Sequence, residues 1–119
     1  MTHIVNETGT YLDLKEMSTA STAPFILDQS GRTPRVGDRI TGTNPYAYAN
    51  KADDAAMNTS TVWSIDSIDR TLAVTVHQKN AHELATCKIT GERAAKYYKC
   101  EVTGTPARNQ VLVSLNIGS

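Results

Sequence analysis

Period-two alternation is the feature that most limits what this chain can fold into. It recurs in "TVWSIDS", "TLAVTVH", "ATCKIT", "YYKCEVT" and "VLVSLNI", each short and rich in Val, Ile, Thr and Tyr. A repeat of two sends alternate side chains to opposite faces of a pleated strand, so each run reads as a strand buried on one side. Turn-forming stretches separate the runs: "DSIDR", "QKNAHE", "TGERAA" and "TGTPARNQ". Strands at such short intervals predict an all-β sandwich or barrel. The 119 residues suit one domain and suffice for a core that needs no metal or disulfide framework.

Upstream of Thr59 the signal is weaker. "APFILDQ" (Ala23–Gln29) reads as a first strand closed by "SGRTP", and "VGDRITGT" (Val36–Thr43) as a second. The polar, Ala-rich "NPYAYANKADDAAMN" (Asn44–Asn58) reads as a long connection with at most one helical turn. Residues 1–22 form either an N-terminal arm or an extra strand around "TYLDL", with "STAST" (Ser18–Thr22) as a linker. As an arm, the segment carries Tyr11 as a contact residue, and its alternating apolar groups would add a strand to a partner's sheet edge.

Charge excludes some partners. Twelve basic residues balance 12 acidic ones, so no net field draws the chain to nucleic acid or to an anionic membrane. The N-terminal stretch lacks the charged start and apolar run of a secretory signal, and no apolar run approaches a membrane span. The expectation is therefore a chain that is not exported by such a signal.

Candidate chemistry is sparse. His77 and His82 flank a turn with Glu83 alongside, and His3 lies far off in sequence; surface positions are expected, not metal ligands. Asp66 and Asp69, with Asp53 and Asp54 before them, resemble loop carboxylates that bind calcium, but turn aspartates usually bond their own backbone. No Gly-rich phosphate loop or nucleophile motif is present. The chain reads as a non-enzyme without cofactor or metal. Two glycosylation sequons, at Asn6 and Asn58, carry no weight without an export signal.

Cys87 and Cys100 are more telling. If "CKITGERAAKYYKC" is a hairpin turning near Arg93 and Ala94, Ile89 faces Tyr98, Cys87 faces Cys100 and Ala85 faces Val102. One face is then wholly apolar, and a slip by one residue would destroy it. The thiols become core-side neighbours across two strands. A disulfide fits that spacing, but two free thiols packed as small apolar groups are the expected state in a cytosolic setting. Tyr46 and Tyr48, two apart in the long connection, are candidate contact residues; of this pair, as of Tyr97 and Tyr98, one is expected in the core and the other partly exposed.

The order of these pieces resembles the group 2 bacterial immunoglobulin-like domain. Val36-Gly37-Asp38 matches its turn, Pro45 its proline, Thr61-Val62-Trp63-Ser64 with Asp66 its tryptophan strand, and Leu72-Ala73-Val74-Thr75-Val76 the next strand. The resemblance covers residues from about Pro24 to Ile117. The chain departs from it in the long stretch before Trp63, in alanines at 94 and 95 where a glycine is usual, and in its two cysteines. The resemblance implies an antiparallel Ig-like β-sandwich over residues 23–119, with Trp63 as a core pin beside Val74, Cys87 and Cys100. Burying that indole contributes about 2–3 kcal/mol. It further implies a structural protein of a tailed-bacteriophage virion, decorating capsid or tail and assembled in the host cytoplasm. Its partner would be a capsid or tail protein of the same virion, or a second copy. The alternative is a spacer or carbohydrate-binding module of an adhesin at the bacterial cell surface.

Overall fold

Strand β6 (Thr59–Ile65) organises the molecule. Thr59, Thr61, Trp63 and Ile65 are buried, while Ser60, Val62 and Ser64 lie on the opposite, half-buried face, as the sequence alternation requires. The computed structural model describes residues 2–18, 25–27, 34–41, 46–50, 58–65, 72–80, 82–91 and 97–115.

Ten strands are present among the described residues: β1 (Thr2–Glu7), β2 (Leu12–Ser18), β3 (Phe25–Leu27), β4 (Arg39–Ile40), β5 (Tyr46–Asn50), β6, β7 (Ala73–Gln78), β8 (Thr86–Thr90), β9 (Tyr98–Thr105) and β10 (Arg108–Leu115). They form two five-stranded sheets, β3-β5-β1-β10-β9 and β4-β2-β6-β7-β8. The chain is an all-β two-sheet structure with the character of a β-sandwich. Every pairing is antiparallel except β1 with β10. A meander carries Trp63 opposite Val74, and Val74 opposite Ile89. The strand order differs from the constant-type immunoglobulin sandwich, in which the penultimate strand lies between two neighbours. Among the described residues the penultimate strand, β9, is an edge hydrogen-bonded to β10.

Both sheets contribute to one core. Ile4, Tyr48, Val111 and Val113 from one meet Leu12, Leu14, Ile40, Trp63, Ile65, Val74 and Val76 from the other. Trp63 is fully buried. The Tyr46 ring stands edge-on to it at 4.9 Å between centroids, a favoured geometry for aromatic quadrupoles.

Three polar clusters tie the sheets together. At one end, Asn6 Nδ2 donates to the carbonyls of Thr10 (2.7 Å) and Ile40 (3.3 Å), and its Oδ1 accepts from the Thr8 hydroxyl and N–H. In the centre, Thr61 Oγ1 accepts from Trp63 Nε1 at 3.0 Å and shares a hydrogen bond with the Tyr48 hydroxyl at 2.9 Å. At the far end, Asn109 on β10 accepts from the Ala85 N–H (2.8 Å) and donates to Gln78 Oε1 on β7 (3.1 Å). Gln78 in turn donates to the carbonyls of Glu83 and Pro106. Among the described residues no buried side-chain polar atom lacks a partner, so these clusters avoid the cost of unsatisfied burial.

Several sequence expectations are corrected. Residues Thr2–Ser18 are not an arm: β1 lies between β5 and β10, and β2 between β4 and β6. A bulge between Leu14 and Glu16 breaks the alternation of β2, so its second half is exposed. The stretch from Asn44 is not one long connection, because Tyr46–Asn50 forms β5 between β1 and β3. "VGDRITGT" supplies a turn and the two-residue β4, not a full strand. "CKIT…YYKC" is not a hairpin: β8 pairs with β7 and β9 with β10, in different sheets. The cysteines nevertheless meet, and as a disulfide, with Cα atoms 6.2 Å apart. The free-thiol expectation thus fails. Closing a loop of sequence separation 13 contributes about 3 kcal/mol in the chain-entropy account.

One glycine is dictated by sterics. Gly104 has φ +98°, and a Cβ there would collide with the carbonyl oxygen of Arg108 across the Pro106-Ala107 turn. Any other residue would push β9 away from β10.

Candidate functional site

The three tyrosines that the sequence offers as contacts have three different fates. Tyr48 is buried beside Ile4 and Trp63 in the core. Burial pushes its hydroxyl well above the ordinary tyrosine range, and the Thr61 hydrogen bond draws it partly back. It cannot meet a partner at the surface. Tyr46 is half-buried, its ring against Trp63 and its hydroxyl donating to Asp38 Oδ2 at 2.6 Å. Both belong to the protein's interior architecture, because "YAYAN" alternates and sends the tyrosines to the core side of β5.

Tyr11 is different, with 42% of its surface exposed. The Arg39 guanidinium carbon lies 4.6 Å from the centre of its ring, a cation–π stack. Arg39 also forks onto Asp13, Nε to Oδ1 at 2.7 Å and Nη2 to Oδ2 at 3.3 Å. Asp13 and Arg39 are register partners across β2 and β4. Both side chains remain accessible, so the ion pair itself contributes at most about 1 kcal/mol. Its effect is to hold the guanidinium beside the ring.

The adjoining turn is also held in place. Gly37 (φ +100°) lets the chain reverse at Val36-Gly37. The Gly37 N–H donates to the Leu14 carbonyl and the Leu14 N–H to the Asp38 carbonyl, both at 2.8 Å. Asp38 Oδ2 accepts from the Arg35 N–H at 3.1 Å as well as from Tyr46. Val36 is thereby presented at 63% exposure on the β2–β4 side of the sandwich. Tyr11, Arg39 and Asp13 form the candidate recognition patch, an aromatic ring and a cation at the β2–β4 pair; Val36 stands exposed in the turn before β4. The sequence offers Tyr11 alone; Arg39 and Asp13 are 26 residues apart and are joined by the β2–β4 pairing.

The remaining candidates are scattered. His77 Nε2 bonds Asn58 Oδ1 at 2.5 Å on the outer side of the second sheet. His82 lies exposed in the turn after β7, its N–H donating to Asn80 Oδ1, and His3 lies on β1 in the other sheet. Among the described residues no group of three or more His, Cys, Asp or Glu is close enough to hold a metal ion. Asp53, Asp54, Asp66, Asp69, Pro45 and the alanines at 94 and 95 lie outside the described residues. Of the two sequons, Asn6 is buried and engaged by its hydrogen bonds, whereas Asn58 is exposed. Val74 is fully buried; Cys87 and Cys100 are half-buried against the core. A shallow depression of about 290 Å³ is lined by Glu16, Met17, Ser18, Ser60 and Val62.

No protein-family model matches the chain, and no curated protein matches it significantly.

Proposed function

We propose that the chain is a non-enzymatic binding module that docks through the β2–β4 side of its sandwich, as a structural component of a bacteriophage capsid or tail. The observation that carries the binding role is the Tyr11–Arg39–Asp13 cluster. Tyr and Arg are enriched among the residues that dominate interface energetics, and an Arg already held in place has less side-chain entropy to lose on binding. Here the stack fixes both before any partner arrives, which lowers the cost of ordering them. The virion setting and the finer Ig-like kinship rest on sequence motifs, the Val36-Gly37-Asp38 turn and the Trp63 strand. A capsid or tail protein of the same particle is then the partner.

One observation favours the adhesin alternative. A disulfide between Cys87 and Cys100 belongs with chains that work in an oxidising environment. A spacer or carbohydrate-binding unit at a cell surface meets that condition directly, and a virion component meets it after release from the cell.

The test is co-sedimentation with particles from a host carrying the gene. Capsid or tail genes beside it, and binding weakened at least tenfold by Tyr11→Ala with Arg39→Ala, support the proposal. An adhesin reading frame around this chain, or unchanged sedimentation of the double variant, refutes it.

A further inference from the structure

The two sheets meet along a seam where β8, the edge of one, faces β9, the edge of the other. Among the described residues no ladder joins these strands; β8 bonds to β7 and β9 to β10. The Cys87–Cys100 disulfide links them, both cysteines being half-buried, and Ile89, Tyr98 and Val102 of the same strands pack against the core. The start of β8 is held separately, because the Ala85 N–H donates to Asn109 Oδ1 on β10. The main core, built on Ile4, Leu14, Trp63, Val74, Val111 and Val113, lies on the strands inward of the seam.

From this arrangement we infer that the disulfide is a redox latch. Reduction opens the β8–β9 seam locally while the rest of the sandwich stays folded. A dithiol reductant drives the step: its thiolate attacks one cysteine sulfur, breaks the S–S bond and forms a mixed disulfide. Its second thiol then displaces the other cysteine. Cys87 and Cys100 gain two electrons and two protons, and the reductant becomes a disulfide. With the cross-link gone, residues 86–90 fray from their ladder to β7 and draw away from β9, while Asn109 retains Ala85. The β9 edge, which bears no ladder to β8 among the described residues, is then uncovered and able to accept a further strand. The inference is independent of what the Tyr11 patch binds.

Native-state amide exchange on the oxidised protein, on the same protein under dithiothreitol, and on Cys87→Ala/Cys100→Ala tests it. In both thiol-free and reduced forms, amides of β8 and the facing part of β9 should exchange on the order of a hundredfold faster. Those of β1, β6 and β7 should keep slow exchange, and oxidised glutathione should restore protection in the reduced wild type. Three results overturn the latch. One is unchanged exchange in β8 and β9. Another is global unfolding of the wild type on reduction, which would make the disulfide a plain structural cross-link. The third is a count of two free thiols in protein unfolded after air oxidation. Should the double variant fail to fold, reversible reduction of the wild type still decides between these outcomes.

Discussion

Trp63→Ala tests the architecture most directly, and its cost can be worked from the surroundings. The indole is fully buried, between Leu14 on β2 and Val74 on β7 in register. Truncating a buried Trp to Ala costs about 3–5 kcal/mol through lost transfer energy and the cavity left behind. The edge-on contact with Tyr46 at 4.9 Å adds about 1 kcal/mol. The lost N–H bond to Thr61 adds about another 1 kcal/mol, softened because Thr61 keeps Tyr48 as a partner. The sum is about 5–7 kcal/mol, comparable with the whole stability of many domains of this size. Trp63→Phe keeps most of the ring and loses the N–H, so it should cost about 1–3 kcal/mol. Urea unfolding followed by far-ultraviolet circular dichroism measures both, since the fluorescent probe is itself removed. A loss below about 1 kcal/mol for Trp63→Ala would mean that the two sheets do not close around this residue.

Three further expectations follow from the same packing. Asn109→Ala should cost about 2–4 kcal/mol in urea unfolding, because it strands the buried Ala85 N–H and removes a partner from Gln78; a loss under about 0.5 kcal/mol would sink the far-end cluster. Alkaline pH should destabilise the fold: below about pH 10 the Tyr48 proton is retained in both states, and above it the unfolded chain releases the proton while folded Tyr48 keeps it. Stability should then fall by up to about 1.4 kcal/mol per pH unit from this residue, and Tyr48→Phe should flatten that slope; an identical slope in the variant would refute the assignment. Deleting residues 1–18 removes one central strand from each sheet, so the truncated chain should show no cooperative thermal transition, and a retained melting temperature would restore the arm reading.

Much of the fold is legible in the sequence where the signal is local. Alternation in "TVWSI" and "TLAVTVH" puts Trp63 and Val74 on one face, and the pleat obliges the structure to agree. The same rule is present in "YAYAN", but the polar residues around it hide a five-residue strand. The bulge at β2 hides another in the same way, since one extra residue inverts the pattern halfway along. The cysteine register shows where local pattern stops being decisive. A hairpin and a cross-sheet seam both turn Cys87 and Cys100 inward, so apolar faces cannot tell them apart. The site was legible only as Tyr11, because the groups that shape it come from other strands.

Strand identity and facing are therefore properties of the sequence, set by the period of the backbone pleat and by which side chains avoid water. Strand neighbours are not. The pairing of Thr2 with Asn109, the closeness of Asp13 to Arg39 and the seam between β8 and β9 depend on how two sheets fill one common volume, and satisfy their buried polar groups, once the whole chain has collapsed around Trp63.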